Sequence, residues 1–441
     1  MALAVASATR LPAQTNNAVP RLPPAPRRPS IILILSDNLG YGDLGCYGQT
    51  KIKTPQLDQL ARDGIRFTSF YTGSPDDTAA RAAWLTGLQP GHAPTGFNQP
   101  LPSDAPTVAS FLKARGYHTG WIGEWGLGDT GAGLPDKKGF DEFAGFLSQG
   151  HAQDYFTASL WRHDPVTGFD GQMQFPENEG GRHGRFMPDL LTSAAVNFIH
   201  NNVPDQFNQH RPFFLCVAYP LPVTTGNLAS PTDPQYASEP WPPLQRIRAS
   251  LVSRLDAGVG QILDALDGAR LATNTVVLFA SVSGPLRERG IEPEFFRSAG
   301  PLRGGQGSVY EGGLRVPLLV RWPARVAPGR VSDLPCAAWD FLPTAAEVAM
   351  IPAPEKVDGI SLLPTLTGKE QKQKHEVLAW PSAAKEIPQA VRLGDWKAVR
   401  TNATAAMELY NLRNDAGEQQ NVAAQHPAEV QKLERVLDGR P

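Results

Sequence analysis

Three acidic residues and one arginine give this chain its means of doing chemistry. Asp37 and Asn38 follow directly on the apolar run Ile31-Ile32-Leu33-Ile34-Leu35-Ser36. Asp77 and Arg81 stand in Asp77-Thr78-Ala79-Ala80-Arg81, and Glu124 lies in Gly123-Glu124-Trp125-Gly126. A carboxylate can attack a phosphoryl or glycosyl centre. Paired carboxylates can support glycoside hydrolysis when their separation and proton affinities differ suitably. Cleaving an anionic ester also demands cations that neutralise the developing charge. A hard divalent cation wants several convergent oxygens; Asp37 offers a carboxylate, Asn38 a carbonyl, and Asp77 is a third candidate.

Other familiar chemistries lack their residues. The nine histidines, at 92, 118, 151, 163, 183, 200, 210, 375 and 426, include no H-x-x-H or H-E-x-x-H pair, so zinc is not indicated. His118 and His200 fall at expected element ends and read as local structural groups. Cys46, Cys216 and Cys336 are too few for a disulfide framework, and the last two sit among apolar neighbours as small core groups. There is no G-x-G-x-x-G fingerprint or P-loop; the Gly-Gly pairs at 304–305 and 312–313 are not phosphate-binding evidence. Asn402-Ala403-Thr404 matches a glycosylation acceptor, a pattern that arises often by chance.

The elements that must position these groups alternate along the chain. Ile31 to Leu35 reads as a central strand covered on both faces, delivering Asp37 and Asn38 to its carboxyl end, where open α/β sheets form sites. Thr54-Pro55 is expected to cap and open a helix stopped by Gly64. Helices are expected over Thr107–Ala114, Asp189–His200 and Leu251–Leu266, with strands over Phe213–Tyr219 and Thr275–Ala280. This alternation predicts an α/β fold with a mainly parallel sheet between helical layers. From about Trp380 to Leu412 the texture changes to short strands, followed by a closing helix from His426 to Leu437. The expected division is therefore an extended Pro-rich tail or signal remnant over 1–29, an α/β domain over 30–378, and a smaller α+β subdomain over 379–441.

Composition bounds the rest. Apolar residues make 41% and charged residues 19% of 441, as in an ordinary globular protein, and the length favours more than one domain. Lys plus Arg number 41 against 43 acidic residues, a formal charge of −2, which argues against a nucleic-acid partner. No apolar run reaches the 18 or so residues of a transmembrane segment. The start, MALAVASATRLPAQ, has the small-residue pattern of a secretory signal's tail without its basic leader.

The segment PSIILILSDNLGYGDLGCYG, followed by TPQLDQLARDGIRF, resembles the N-terminal part of the sulfatases of the alkaline-phosphatase superfamily. The resemblance continues in order through SPDDTAARAAWLTG, GYHTGWIGEWGLG, GFDEFAGF, PFFLCVAY, RLDAGVGQILDAL, TVVLFA, LRGGQGSVYEGGLRVP, LGDWKAVR and ELYNLRNDAGEQQNVA. It implies an alkaline-phosphatase-like fold and a formylglycine-dependent site holding calcium. At the matching positions most working groups are replaced. Asp77 stands where the C/S-x-P-x-R motif has the cysteine or serine oxidised to formylglycine, Ala79 removes its proline, and Arg81 alone is kept. The first-strand pair of aspartates is Asp37 and Asn38, while the TSDNG-like second strand end has Val282 and Ser283 in place of Asp and Asn. A lysine and a histidine become Glu124 and Gly126. The histidine of a PHTP-like turn becomes Val223, within Pro222-Val223-Thr224-Thr225, and a GGKGS-like lysine becomes Gln306.

These replacements act in one electrostatic direction. With family geometry kept, Asp37, Asp77 and Glu124 converge on a pocket whose inherited cation is Arg81, which disfavours a sulfate dianion. The expectation is a catalytically degenerate sulfatase fold, with no cofactor and no calcium, used as a structural, assembly or interaction subunit with a protein partner or as an oligomer. Alternatives are a divergent ester or glycoside hydrolase using Asp77, Asp37 and Glu124, or a protein binding a saccharide or other polar ligand in an open cleft near Asp77 and Arg81. Trp125, Trp161 and Tyr155 are the aromatic candidates for that cleft. A periplasmic or secreted location is expected.

Overall fold

The computed structural model describes residues 28–93, 99–204, 211–224, 229–288, 290–381, 388–402 and 404–438. The tail over 1–27, Thr225, His210 and the central Ala403 of the acceptor motif lie outside the described residues. The strands are β1 (Ser30–Ser36), β2 (Ile65–Phe67), β3 (Phe70–Tyr71), β4 (His118–Glu124), β5 (Glu142–Phe146), β6 (Ser159–Asp164), β7 (Phe169–Gln174) and β8 (Phe213–Tyr219). They continue with β9 (Thr275–Ser281), β10 (Leu318–Arg321), β11 (Arg330–Ser332), β12 (Cys336–Ala337), β13 (Val377–Trp380), β14 (Gln389–Leu393), β15 (Trp396–Arg400) and β16 (Glu408–Asn411). The helices that matter here are α1 (Pro55–Arg62), α2 (Asp77–Thr86), α3 (Val108–Lys113), α4 (Gln149–Ala152), α5 (Met187–Asn201), α6 (Pro234–Ala237) and α7 (Pro243–Gly268).

Ten strands form one mixed sheet in the order β11-β2-β10-β9-β1-β8-β4-β5-β6-β7. Its centre is parallel: β1 pairs with β8 and β9, and β4 with β8 and β5. β10 runs antiparallel to β9 and β2, and β6 and β7 close the other side antiparallel. The β1 run shows why no alternation appears in the sequence. Ile31, Leu33 and Leu35 enter a core shared with α2 and the helix Phe341–Val348, whereas Ile32 and Ile34 enter a second core shared with α1, α5 and α7. Both faces are dry, so every position must be apolar. The parallel centre brings the carboxyl ends of β1, β4 and β9 to one edge, with Asp37, Glu124 and Val282 beside each other.

Two expectations are corrected by tertiary contacts. Thr54 precedes α1 but does not cap it; its hydroxyl accepts from the Gly45 amide at 2.9 Å. The orphan amides of Leu57 and Gln56 instead meet the Asp256 carboxylate of α7, at 2.7 and 3.2 Å. A carboxylate from a distant helix replaces the local hydroxyl. Secondly, α7 begins at Pro243 and not at Leu251, which carries Arg248 into the helix. The remaining expected strands and helices appear with small shifts at their ends. Thr107 does cap α3, in a reciprocal pair with Ser110.

The strands β13 to β16 form a four-stranded antiparallel sheet, against which the helix Pro427–Leu437 packs. A buried ionic triad fastens it to the larger sheet's loops. Lys397 Nζ lies 2.9 Å from both Glu311 and Glu418, all three side chains being fully buried. Glu418 also accepts from the Glu311 amide at 2.6 Å, and Tyr71 donates to Glu311 at 2.9 Å. The Trp380 indole donates to the Thr72 carbonyl at 3.1 Å, adding a second tie just ahead of α2. Removing Lys397 would leave two buried carboxylates facing each other. Lys397→Met should therefore lower the unfolding free energy by about 3–5 kcal/mol, read from denaturant midpoints; a loss below about 1 kcal/mol would show that the triad does not hold this sheet.

Candidate functional site

The start of α2 positions the first two groups. Asp76 caps the helix, its carboxylate accepting from the Ala79 amide at 3.0 Å, and places Asp77 in the first turn, where negative charge suits the helix dipole. One turn later Arg81 is directed at the strand ends. Its Nη2 lies 3.1 Å from Asp37 Oδ1 after β1 and 2.7 Å from Glu124 Oε1 at the end of β4. Arg81 and Glu124 are 1% exposed and Asp37 5%, so this ion-paired trio is almost wholly buried. The Glu124 contact is a charge contact lacking hydrogen-bond geometry, and Arg81 Nε and Nη1 make no hydrogen bond. Gly126 leaves room for this arrangement. Its φ is +67°, and a Cβ there would stand 2.9 Å from Arg81 Nη1, so a side chain at 126 would press on the guanidinium.

Asp77, 2% exposed, is held by two carboxamides. Gln306 donates to its Oδ2 at 2.9 Å and Gln149, at the start of α4, at 3.2 Å, while Oδ1 accepts no hydrogen bond. On the β9 side, Asn38 takes a positive φ of 56° and its amide donates to Ser283 Oγ at 2.5 Å. The Val282 carbonyl accepts from Thr72, and its side chain is buried among apolar groups. Behind Asn38, the buried Arg248 donates to the carbonyls of Asn38 and Pro222 at 3.0 and 2.9 Å and pairs with Asp43 at 3.0 Å.

This donor set does not fit a divalent cation. Val282 presents hydrocarbon, the Asn38 amide is committed to Ser283, and the charge partner of Asp37 and Glu124 is a guanidinium. A cation between those carboxylates would meet Arg81 at contact distance. Among the described residues no group of three or more His, Cys, Asp or Glu side chains is arranged to hold a metal.

Burial and neighbouring charge set the proton affinities. Burial pushes the Asp37 carboxyl well above the usual range, Glu124 and Asp77 push the same way, and Arg81 pulls against them. The Glu124 carboxyl is also raised, first by burial and then by Asp77, with Arg81 opposing. Arg81 is held firmly charged because its carboxylates outweigh the cost of burying it. Three carboxylates thus surround one guanidinium, an arrangement with a formal surplus of negative charge.

A cavity of about 210 Å³ opens on the outer side of this cluster. Its polar wall is made by Asp37, Asn38, Glu124, Gln149, Gln153 and Gln306. Its apolar wall includes Pro220, Val223 and Leu286. Asp77 and Arg81, around which an open cleft was expected, sit behind this wall and do not line it. Two of the aromatic candidates are likewise displaced. Trp125 and Tyr155 are buried core residues, Tyr155 donating to the Pro220 and Val223 carbonyls at 2.5 Å, because an aromatic ring beside these strand ends gains more from packing than from lining a wet cleft. Trp161 is half-buried against the core and is not among the lining residues.

The structure therefore gathers Asp37, Asn38, Glu124, Val223 and Gln306 around the cavity and Asp77, Arg81 and Gly126 behind it, with Val282 and Ser283 beneath Asn38. It adds four residues that the sequence reading passed over. Gln149 and Gln153 belong to a short helical turn with no periodic signal. Arg248 was detectable as a charge inside an apolar helical stripe, once that helix is extended to Pro243. Glu288 accepts from the Thr224 amide and hydroxyl at 2.9 and 2.8 Å and adds its charge to the surroundings of Asp37.

A parallel-centred α/β sheet with acidic groups at its strand ends and a capped helix behind them defines the hydrolase class built on the alkaline-phosphatase plan. The chain belongs to the sulfatase family, which it matches over residues 29–351, and residues 306–439 match the family region described as N-sulphoglucosamine sulphohydrolase, C-terminal. It is 34% identical to human arylsulfatase A across 93% of this chain and 87% of that protein. The N-acetylgalactosamine-6-O-sulfatase of Bacteroides thetaiotaomicron is 29% identical, with 93% of each chain covered. Among solved structures, Ps i-CgsB in complex with k-i-k-neocarrahexaose superposes with a TM-score of 0.79 at 29% identity, over 94% of this chain and 92% of that one.

The raised carboxyls give stability a pH signature. In the folded protein Asp37 and Glu124 keep protons at pH values where the unfolded chain has lost them, so their contribution is full below the ordinary carboxyl range and is lost as pH climbs through their folded values. Asp256, raised by burial to about 7, adds to the same slope. Denaturant midpoints measured from about pH 5 to about pH 8 should fall, and fall less steeply in Glu124→Gln. Equal slopes in the two proteins would show that Glu124 is not the group being titrated.

Proposed function

We propose that this sulfatase-fold protein does not hydrolyse sulfate esters and acts by binding, as a structural or assembly subunit. The observation that carries this reading is the fully buried ion-paired trio Asp37–Arg81–Glu124, in which the inherited cation is already neutralised. A sulfate ester needs positive charge on its non-bridging oxygens and a proton donor for its leaving alcohol. Here the guanidinium is shared between two carboxylates, and Gln306 and Gly126 supply neither a charge nor a transferable proton. Asp77 has no thiol or hydroxyl to oxidise and is kept from the cavity by Gln149 and Gln306. That shielding also counts against a divergent hydrolase attacking through Asp77.

The intact cores support retention of the fold under use, since decay would place polar and chain-breaking residues in them as well. The active relatives carry names that concern sulfate removal; this chain keeps their framework with a site of reversed charge. A second reading, binding of a polar ligand, is favoured by the cavity beside Asp37 and Glu124. A periplasmic or secreted setting belongs to the same proposal, and the match to a Bacteroides sulfatase over nearly its whole length supports it. No helix among the described residues is long and apolar enough to cross a membrane.

The purified protein should release no sulfate from an aryl sulfate above the buffer rate and should contain no formylglycine by peptide mass spectrometry. Sulfate release that is abolished by Asp77→Asn would overturn the reading.

A further inference from the structure

The two edges of the ten-stranded sheet differ in what they offer a second strand. β11 has three residues, the first of them an arginine, and a short charged edge gives little to pair with. β7, at the other edge, runs for six residues, Phe169–Gln174, with Asp170 as its one charged side chain and no lysine, arginine or proline. Such an edge is a template for another strand. The ladder bond from the Phe175 amide to the Ala158 carbonyl, at 2.7 Å, sets its phase. Phe169, Gly171 and Met173 turn their amides and carbonyls towards β6, so those of Asp170, Gln172 and Gln174 point away from the sheet. Among the described residues no strand pairs with them. The β6–β7 hairpin also carries two of the four large apolar side chains exposed among the described residues, Val166 at its turn and Phe169 beside it, 84% and 41% exposed.

A second copy of this strand fits the edge in one register. Antiparallel pairing about a twofold axis at Gln172 sets Asp170 opposite Gln174 of the second copy and Gln172 opposite its own equivalent, so every outward amide and carbonyl is used. An axis at Asp170 would oppose two carboxylates. An axis at Gly171 would leave Gln174 facing the turn at Gly168, and one at Met173 or Gln174 would bring Pro176, which has no N–H, opposite an outward amide. The side chains agree with the Gln172 register. Asp170 lies 3.4 Å from His163 with 60% of its side chain exposed, and the Gln174 carboxamide that would face it is a donor. On the face covered by α5, Phe169 falls opposite Phe175 of the second copy, with Met173 diagonal to it. This lies beside a recess of about 230 Å³ between α5 and the strands, lined in part by Leu160, Met173 and Phe198. Gly171 falls opposite Met173 of the second copy; a Cβ at Gly171 would have nothing within 4 Å, so the thioether has room.

We infer that β7 is the edge through which this chain forms a homodimer, two copies pairing their β7 strands antiparallel about Gln172 and joining two ten-stranded sheets into one. The inference goes beyond the non-catalytic reading and does not depend on the strand-end site.

The test is sedimentation of the full chain, with cross-linking to read the register. At about 50 μM the 47.7 kDa chain should sediment as a discrete dimer. Gln172→Lys sets like charges opposite each other and should raise the dimer dissociation constant at least about tenfold. Gln174→Lys, facing Asp170, should leave it unchanged or lower it. In a Cys46→Ser background, which removes the one cysteine that is not buried, Gln172→Cys should cross-link two copies on oxidation. A hydrogen-bonded antiparallel pair holds its Cα atoms about 5.5 Å apart, within disulfide reach. Gln174→Cys should not cross-link. Gln172 and Gln174 are exposed, so each variant should keep the parent's circular dichroism, and the cysteine pair reads the register even if a lysine variant misfolds. A monomer at that concentration, an open-ended oligomer, a dimer indifferent to Gln172→Lys, or equal cross-linking by the two cysteine variants would overturn the inference. Sulfate release would defeat the non-catalytic reading and leave the pairing of β7 untouched, whereas a monomer without turnover would defeat this inference alone.

Discussion

A guanidinium shared by two buried carboxylates governs this site. Arg81 bridges the ends of β1 and β4 through Asp37 and Glu124, and both partners are out of water. Burying such charges is costly, and the cost is recovered only if they stay paired. The rest of the local structure follows from that requirement. Gly126 must lack a side chain so that the guanidinium can lie where it does, and Asp76 must cap α2 so that Arg81 is aimed at the strand ends. Gln149 and Gln306 bring neutral donors to the remaining carboxylate, Asp77.

The same constraint reorganises the place where a cation could sit. With Asn38 donating to Ser283 and Val282 turned into the core, the β9 end presents hydroxyls and no carboxylate to the β1 end. The two strand ends are joined by a side-chain hydrogen bond, with Arg81 across from it. What is left on the solvent side is a small cavity with carboxylates and amides on one wall and hydrocarbon on the other. A framework shared with the sulfatases thus carries a recess lined by carboxylates and amides.

Much of the fold was legible in the chain. The uninterrupted apolar runs of β1, β8 and β9 each have a local physical cause that acts within a few residues. The limits were equally physical. Thr54 has the chemistry of a cap, but Asp256, distant in sequence, reaches the α1 amides first. Trp125 and Tyr155 have the chemistry of a ligand platform, but ring burial at the sheet edge wins. Gln149 carries no signal at all, because a short turn leaves no periodicity to read.

The sequence by itself determined the fold class and the residue types at the strand ends, because apolar patterning dictates which segments are buried strands and the family resemblance aligns the working positions. The resemblance also implied a direction for the change in charge, with Glu124 standing where the family pattern has a lysine. Only the tertiary structure decided which carboxylates Arg81 touches, that Asp77 lies behind two glutamines, and where the open space remains. Those depend on distances of a few ångströms between segments far apart in the chain, and Coulomb and hydrogen-bond energies change steeply over that range.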